Sequence, residues 1–491
     1  MAAATARRVV TARAAAVRPA GTATARAAAA ARAATARRAV VASAPAAGTS
    51  PIASAPHHTT SDEQRITRLP SGVTVVSESI GSALSVAVGV WVGTGARHER
   101  DEEAGRAHLL EHMLFRGTRS YTSAEVDQRF DALGGDLNAA TSRDETAVVA
   151  RVLADELPGA FPMLGEMVAA PLLQDADLAL ERKIVLEEIS MIDDDPEELV
   201  FELLPTAVFG PHALGRPVIG TPEVVSGTDG DTLRDFYAGR YRPGRIVVAA
   251  AGAVDHDRLC ELATATAVPA DPGAGRPEDT NDPGSAPATA PRVIFRRRDT
   301  EQVQIAIAGR GPGMGDDRRY ALRVLDTILG GTPSSRLFRA VREDRGLAYA
   351  VASFDDQHRG GGMAGVYLGT RAENLAEALR IVADELARIS SEPVDDDELT
   401  RAKQNARARL LLGLESTQAR MHVLGRSVLH DLELRSPHEV AERIDAVTAE
   451  DVRALAADLY APAGLSAAGV GPDEDAFRAA LEPVAGHLPG A

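Results

Sequence analysis

Two histidines and a glutamate lie within five residues of this chain, in His108-Leu109-Leu110-Glu111-His112. On a helix, at about 100° per residue, positions 108, 111 and 112 share one face. Apolar side chains occupy the other faces, so the helix must be buried and its polar stripe needs partners. The spacing favours a fold in which this stripe holds a metal ion. A core helix whose histidines bond backbone carbonyls is the alternative.

A catalytic zinc site keeps three protein ligands and leaves a fourth position for water, so one more ligand is needed. Residues 178–192 carry apolar side chains at helical spacing and predict a second helix. Glu181 and Glu188 interrupt its apolar stripe and, seven residues apart, lie almost above one another, whereas Glu187 points about a quarter turn away. Carboxylates on a buried face favour a nearby cation over a solvated acidic patch. Glu188 is therefore preferred to Glu187 as a ligand.

With these residues the sequence resembles the pitrilysin and mitochondrial-processing-peptidase family, the inverzincins, in which H-x-x-E-H is followed far downstream by a glutamate ligand. The resemblance implies that His108, His112 and Glu188 bind one Zn²⁺ per chain and that Glu111 is the catalytic base. It also matches Glu181 to the family's assisting second glutamate. The activity implied is that of a zinc-dependent endopeptidase acting on extended peptides or unfolded protein segments.

Residues 134–142 resemble the segment in which the family places an edge strand that pairs with the substrate backbone. The resemblance implies that Asn138 contacts the substrate and that Ala139 lies in the pairing strand. Thr122 and Glu125 form a capping-box pattern for the preceding helix, and a strand-like stretch follows at 146–152. Because an unpaired strand edge can recruit an extended peptide, the segment fits this role.

Residues 335–349 resemble the family segment that carries an arginine and a tyrosine seven residues apart, here Arg342 and Tyr349. The resemblance implies that this pair holds the substrate carbonyl from the opposite domain, which suits a transition state with negative charge on oxygen. Taken alone, the two residues would be a surface ion-pair partner and a core aromatic.

The 491 residues divide into a tail, two large domains and a linker. Residues 1–61 are rich in Ala and Arg without an acidic residue and are expected to be a disordered tail. Residues 268–291, rich in Pro, Gly, Asp and Ala, predict the linker. Residues 62–267 hold the H-x-x-E-H motif and are expected to form the zinc-binding catalytic domain. Residues 292–491 are expected to form a homologous domain without metal that completes the substrate site.

Strand-rich stretches at 74–92 and 293–308 open the two halves and indicate a duplication. Residues 320–330 stand where the first half has its H-x-x-E-H helix. Periodicity alone supports a mixture of α and β. The resemblance implies an α+β fold, in which two homologous domains, each with an antiparallel-rich sheet covered by helices, face each other across an enclosed chamber.

The net charge of −17 disfavours nucleic acid and anionic membranes as partners and would steer cationic peptides inward. Cys260 is the only cysteine, so no intrachain disulfide forms and an oxidising compartment gains no support. The tail mimics a mitochondrial transit peptide but lacks the apolar stretch of a secretory signal or a membrane span. The expected location is the bacterial cytoplasm, with the mitochondrial matrix as the alternative.

Catalytically silent members of the family serve as partner or scaffold subunits and typically lack an intact metal motif. This chain retains the motif, so an active subunit is expected, as a homodimer or paired with a related chain. A non-catalytic subunit of a heteromeric processing peptidase is the alternative, and hydrolysis of a small molecule is disfavoured by the edge-strand segment. The other histidines have no ligand-spaced partner and are expected to be surface or structural residues: His57, His58, His98, His212, His256, His358, His422, His430, His438 and His487.

Overall fold

The computed structural model describes residues 63–266, 284–287 and 289–486. The tail predicted at 1–61 and most of the linker predicted at 268–291 lie outside the described residues, as do His57, His58 and His487. Within the described ranges, no helix combines the length and the apolar character needed to span a bilayer.

Two sheets and the helices around them make up the described chain. The strands are β1 (Glu63–Arg68), β2 (Thr74–Ser79), β3 (Ser85–Val92), β4 (Asp136–Thr141), β5 (Thr146–Leu153), β6 (Ile246–Gly252), β7 (Val293–Arg297), β8 (Gln302–Gly311), β9 (Ala348–His358), β10 (Gly361–Arg371) and β11 (Ser466–Gly471). The α-helices are α1 (Arg106–Leu114), α2 (Ser123–Leu133), α3 (Leu157–Ala169), α4 (Asp175–Asp194), α5 (Pro196–Phe209), α6 (Pro222–Gly227), α7 (Gly230–Arg240), α8 (His256–Thr266), α9 (Arg319–Leu329), α10 (Leu375–Ser391), α11 (Asp396–Gly413), α12 (Thr417–Leu429), α13 (Pro437–Asp445), α14 (Ala449–Leu459) and α15 (Glu474–Ala485).

The two sheets share one strand order, which reveals the duplication. The first runs β1-β2-β6-β3-β5-β4 and the second β7-β11-β8-β10-β9. Apart from β1, each sheet has its first strand beside its last, in parallel, and every other pairing is antiparallel. The expected α+β fold of two homologous, antiparallel-rich domains is confirmed. In both sheets the third strand of the shared set, β4 or β9, forms an edge.

Each sheet is covered on one face by a helix that comes from the other half of the chain. Helix α12 packs on β2, β3 and β6, where Met421 and Leu424 are buried with Trp91. Helix α5 packs on β8 and β11 and buries Val200 and Leu204 there. Helical periodicity predicts that these faces are buried but cannot tell which sheet they cover. The exchange joins the two domains through apolar contacts.

The edge strand β4 is delivered by the local sequence before it. The Thr122 hydroxyl accepts the Glu125 N–H, and the Glu125 carboxylate accepts the Thr122 N–H, which completes the predicted capping box of α2. Gly134 ends α2 with φ of 60°, a left-handed conformation that glycine adopts without strain. The chain then enters β4, which pairs with β5 alone among the described strands.

Candidate metal centre

Helix α1 is buried, as its sequence predicts. Leu109, Leu110, Met113 and Leu114 are fully buried, and the polar stripe of α1 faces α4. Glu99 holds the start of this helix, because its carboxylate accepts the N–H groups of Gly105 at 3.0 Å and Ala107 at 2.6 Å. A carboxylate at a helix N-terminus satisfies donors that have no partner within the helix. The Glu99 contact therefore fixes the direction in which the polar side of α1 faces.

Three donor atoms of α1 and α4 converge. Glu188 Oε2 lies 3.4 Å from His112 Nε2 and 4.0 Å from His108 Nε2. All three residues offer a ligand atom within 4.8 Å of the others, the one such group among the described residues. Two imidazole nitrogens and one carboxylate oxygen are a donor set that Zn²⁺ uses in catalytic sites. The structure thus brings together the three ligands predicted from the sequence.

The two histidines of the centre have opposite electrostatic settings. Burial, reinforced by the neighbouring His112, lowers the pKa of His108 to about 3. Burial alone would also lower the pKa of His112, but hydrogen bonds to Glu181 and Glu188 outweigh it and raise the pKa to about 10. His112 therefore carries a proton that a metal ion must displace, since only neutral imidazole binds metal.

Glu111 lies beside the three donors without belonging to them. Burial raises the pKa of its carboxyl group, although Thr141 hydrogen-bonds to it through side chain and backbone and lowers that pKa. Its Oε2 atom is buried and has no hydrogen-bond partner in the described part of the chain. A buried carboxylate oxygen left without a donor is costly unless a proton or a water molecule meets it. The arrangement suits a proton acceptor.

Glu181 lies behind His112 and not among the three donors. Its carboxylate accepts a hydrogen bond from His112 Nδ1 at 2.8 Å and forms an ion pair with Arg116, and only 3% of the residue is exposed. A carboxylate on the far nitrogen fixes the tautomer and the orientation of a metal-binding imidazole. Glu181 thus turns His112 Nε2 toward Glu188. Arg116, two residues after the end of α1, was not predicted from the sequence because only the fold identifies its partner.

We expect Glu181→Gln to weaken zinc binding without abolishing the site. The amide oxygen can still accept from His112, but the charge that supports the imidazole and pairs with Arg116 is lost. Removal of such an outer partner typically lowers metal affinity about 10- to 100-fold. Competition with a fluorescent chelator measures this affinity. Glu166→Gln is the matched control, because Glu166 also accepts hydroxyl hydrogen bonds but lies away from the histidines; equal losses in both variants would contradict the role of Glu181.

Asn138 and Ala139 lie in the edge strand β4, whose neighbour across the core is α1. Asn138 is half-buried, and its side-chain oxygen accepts the N–H of Ala139. Thr141, the last residue of the same strand, reaches Glu111. The strand predicted to pair with substrate therefore runs past the proposed base.

Arg342 and Tyr349 contact each other on the second domain. The Arg342 guanidinium donates to the Tyr349 carbonyl at 2.9 Å and lies 4.8 Å from the centre of the Tyr349 ring. Arg342 belongs to a π-helical turn, Phe338–Glu343, and Tyr349 stands near the start of the edge strand β9 with 57% of its surface exposed. A tyrosine this exposed is not a core residue. Neither side chain hydrogen-bonds to the His108, His112 and Glu188 group within the described residues.

Most of the remaining described histidines are structural, as expected. His98, His256 and His358 are buried and contact polar groups of the protein, while His438 is exposed. His358 and His430 contact carboxylates of the first domain, Asp144 and Glu145, from the second half of the chain. Sequence spacing gave no signal for these two contacts, since the partners are more than 200 residues apart.

Known families match both halves of the chain. A family model described as insulinase (peptidase family M16) matches residues 74–222, which include the H-x-x-E-H motif and Glu188. A second, described as peptidase M16 inactive domain, matches residues 229–406.

Three relatives illustrate the breadth of the match. An uncharacterized zinc protease of Streptomyces coelicolor is 39% identical over 406 residues, which cover 80% of this chain and 87% of the relative. One of Bacillus subtilis is 34% identical and covers 79% and 94%. The mitochondrial-processing peptidase subunit beta of Blastocladiella emersonii is 31% identical and covers 84% and 89%.

Solved structures share the fold. A protease from Helicobacter pylori matches with a TM-score of 0.76 at 20% identity, over 84% of this chain and all of the other. A peptidase M16 inactive domain from Pseudomonas fluorescens matches with a TM-score of 0.75 at 22% identity, over 84% and 98%.

Proposed function

Because the chain belongs to the insulinase family, peptidase family M16, we propose that it is a zinc-dependent endopeptidase that cleaves peptides or unfolded segments bound in extended form. The observation that carries the proposal is the convergence of His108, His112 and Glu188 beside a buried, unpartnered Glu111 oxygen. A scaffold subunit would have no use for either feature. Relatives named zinc proteases support zinc as the metal.

The donor set defines which residues hold the ion. His108 Nε2, His112 Nε2 and Glu188 Oε2 would bind one Zn²⁺, and Glu181 would keep His112 in the tautomer that presents Nε2. Bound zinc supplies a Lewis acid that lowers the pKa of a water molecule toward about 7. The described residues bring three ligands together, which would leave a fourth position for that water.

Glu111 would perform the proton transfers of hydrolysis. Its Oε2 takes a proton from the attacking water and returns it to the amine nitrogen that leaves. The raised pKa of this carboxyl group brings it closer to that of the water and makes the return of the proton easier. Thr141 holds the carboxylate in place during both transfers.

Strand β4 and the pair of Arg342 and Tyr349 would hold the substrate. An extended peptide can add to the free edge of β4, with Asn138 and the Ala139 backbone as contacts, because β4 pairs on one side only in the described sheet. Arg342 and Tyr349 would approach from the second domain, across the chamber that the family resemblance implies, and place an N–H⁺ and an O–H donor at the developing oxyanion. Holding the scissile bond from both sides is the orientation that hydrolysis needs.

Location and assembly follow as proposals from the same comparison. Relatives from Streptomyces, Mycobacterium and Bacillus support a bacterial protein, and we propose the cytoplasm as its location. We propose assembly as a homodimer or with a related chain, and the relative named as a subunit of a processing peptidase supports an assembly of more than one chain. Sedimentation of the purified protein, alone and with a candidate partner, distinguishes the two assemblies. Nucleic acid and membranes are not proposed as partners, given the acidic chain.

Cleavage of quenched fluorescent peptides of increasing length tests the function. We expect cleavage by the purified chain, its loss after chelation, and its recovery when one zinc ion per chain is restored. Turnover should rise with peptide length until the β4 edge is filled, because each added residue gains backbone pairing. Turnover that survives complete removal of metal would contradict the proposal, as would equal turnover of dipeptides and long peptides.

A further inference from the structure

The hairpins that carry the two edge strands meet at their turns. Strands β4 and β5 are joined by residues 142–145, and β9 and β10 are joined by Arg359 and Gly360. The hairpins hold equivalent places in the two sheets, so matching parts of the duplicated domains touch. We call the contact of Asp144 with His358 and Arg359 the turn-to-turn contact.

Asp144 is the centre of this contact. It is 2% exposed, and its Oδ1 accepts from Arg97 Nη1 at 2.9 Å and from the Arg359 N–H at 3.2 Å. His358 Nδ1 lies 2.9 Å from Oδ2. Arg97 also donates to the Arg359 carbonyl and so joins both sides. Two of the three donors to Asp144 belong to the second domain, so one carboxylate binds the two turns together.

The charges make this contact persistent. Burial alone would lower the pKa of His358, but Asp356 and Asp144 outweigh it and raise the pKa to about 9, so the imidazole is protonated and donates at neutral pH. Burial alone would raise the pKa of Asp144, but His358 and Arg97 hold that pKa well below its usual range. Charge-assisted hydrogen bonds of this kind are about twice as strong as neutral ones.

On the first domain, the contact leads to the proposed base. Asp144 stands three residues after Thr141, which hydrogen-bonds to Glu111. The turn between them is rigid, because the Ser142 hydroxyl donates to the Glu145 carbonyl and the Ser142 carbonyl accepts the N–H of Ala96. A displacement of the turn would therefore be transmitted along β4 to Glu111.

On the second domain, the contact leads to the arginine and tyrosine. His358 is the last residue of β9, and Tyr349 is near the start of the same strand. Strand β9 pairs with β10 from His358 to Ala350 and again at Ala348, and its one irregularity falls at Tyr349, so the neighbours of this tyrosine on both sides are held by the sheet. Tyr349 in turn holds Arg342 through its carbonyl and its ring.

We propose that Asp144 is a positioning residue that, through the turn-to-turn contact, sets Arg342 and Tyr349 at a fixed separation from Glu111. This inference rests on the proposed peptidase function. Other contacts would keep the domains joined without Asp144. Helix α5 of the first domain covers the second sheet, and α12 of the second domain covers the first sheet. Glu145 also binds His430 and Arg426. Loss of Asp144 should thus misalign the substrate site and leave the halves attached.

Two substitutions attack the contact from opposite domains. Asp144→Asn removes the charge that three donors share, and we expect kcat/KM for a long peptide to fall on the order of 100-fold, as for a displacement of about 1 Å at a reacting centre. His358→Asn keeps an amide donor near the position of Nδ1 without the charge, and about a tenfold loss is expected. Asp257→Asn, which removes an exposed partner of Arg65, is the matched control and should keep wild-type kcat/KM and zinc content.

A double-mutant cycle with Arg342→Ala separates positioning from general destabilisation. If the contact positions Arg342, removal of its side chain should slow the His358→Asn variant much less than the wild type, because Arg342 is already misplaced. Independent effects would multiply. The cycle uses only His358→Asn and Arg342→Ala, so it decides the matter even if Asp144→Asn does not fold.

Hydrogen exchange gives a readout that needs no activity. In His358→Asn, amides of both hairpins, β4–β5 and β9–β10, should exchange faster while α5 and α12 keep their protection. Wild-type exchange in both hairpins, or an Arg342→Ala effect that is equal in both backgrounds, would overturn the inference. Absence of peptide cleavage by the zinc-loaded wild type would instead overturn the proposed function and leave the exchange result standing.

Discussion

Glu111→Gln is expected to retain zinc and lose peptide cleavage. The amide has nearly the shape of the carboxylate and can still bond to Thr141, but it has no basic oxygen to take a proton from water. General-base catalysis typically contributes about 10²- to 10⁴-fold to a rate, so kcat should fall by that factor. The metal ligands His108, His112 and Glu188 are untouched, and zinc content should stay at one per chain.

The experiment compares kcat, zinc content by elemental analysis and thermal stability in one buffer. Glu261→Gln serves as control, because Glu261 is an exposed partner of Arg258 on α8 and should behave as the wild type. Loss of zinc from Glu111→Gln would indicate that Glu111 is itself a metal ligand. Wild-type turnover would exclude Glu111 as the base and would assign the proton transfers to a different group.

Features that depend on one element or one turn could be predicted from the sequence. The faces of α1 and α4 follow from helical periodicity, and the capping box of Thr122 and Glu125 fixes where α2 begins. Periodicity also separated Glu188 from Glu187, because neighbouring residues on a helix point in different directions. The α+β duplication was predicted from two strand-rich openings and from the family resemblance, and the strand order of the two sheets confirms it.

Features that depend on distant pairs could not be predicted. Glu181 and Glu188 share one stripe, yet Glu181 meets the Nδ1 side of His112 and Glu188 the Nε2 side, a difference that only the packing of α4 on α1 decides. The contact of Asp144 with His358 spans 214 positions and joins two turns with no common motif. Periodicity also could not predict that α5 and α12 each cover the sheet of the other domain. It predicts that a helix face is buried but does not identify the element that covers it.

Glu188→Gln and Glu187→Gln form a matched pair that tests the third ligand. Glu188 Oε2 faces both histidine Nε2 atoms, whereas Glu187 is exposed on the neighbouring face of α4. A neutral amide is a poorer zinc ligand than a carboxylate. Without the carboxylate, only two neutral imidazoles remain as good ligands for a dication. We therefore expect Glu188→Gln to lose more than about 100-fold in zinc affinity, beyond the range for an outer partner such as Glu181.

Competition with a chelator measures zinc affinity in both variants, and cleavage of a long peptide measures activity. Glu187→Gln should match the wild type in both, because it removes one exposed charge from the same helix and leaves the three donors in place. Added zinc should restore part of the activity of Glu188→Gln if the carboxylate acts through binding, since excess metal compensates for weak affinity. Full zinc affinity in Glu188→Gln, or its loss in Glu187→Gln, would assign the third ligand to a different residue and remove the geometric basis for placing Glu111 beside the water.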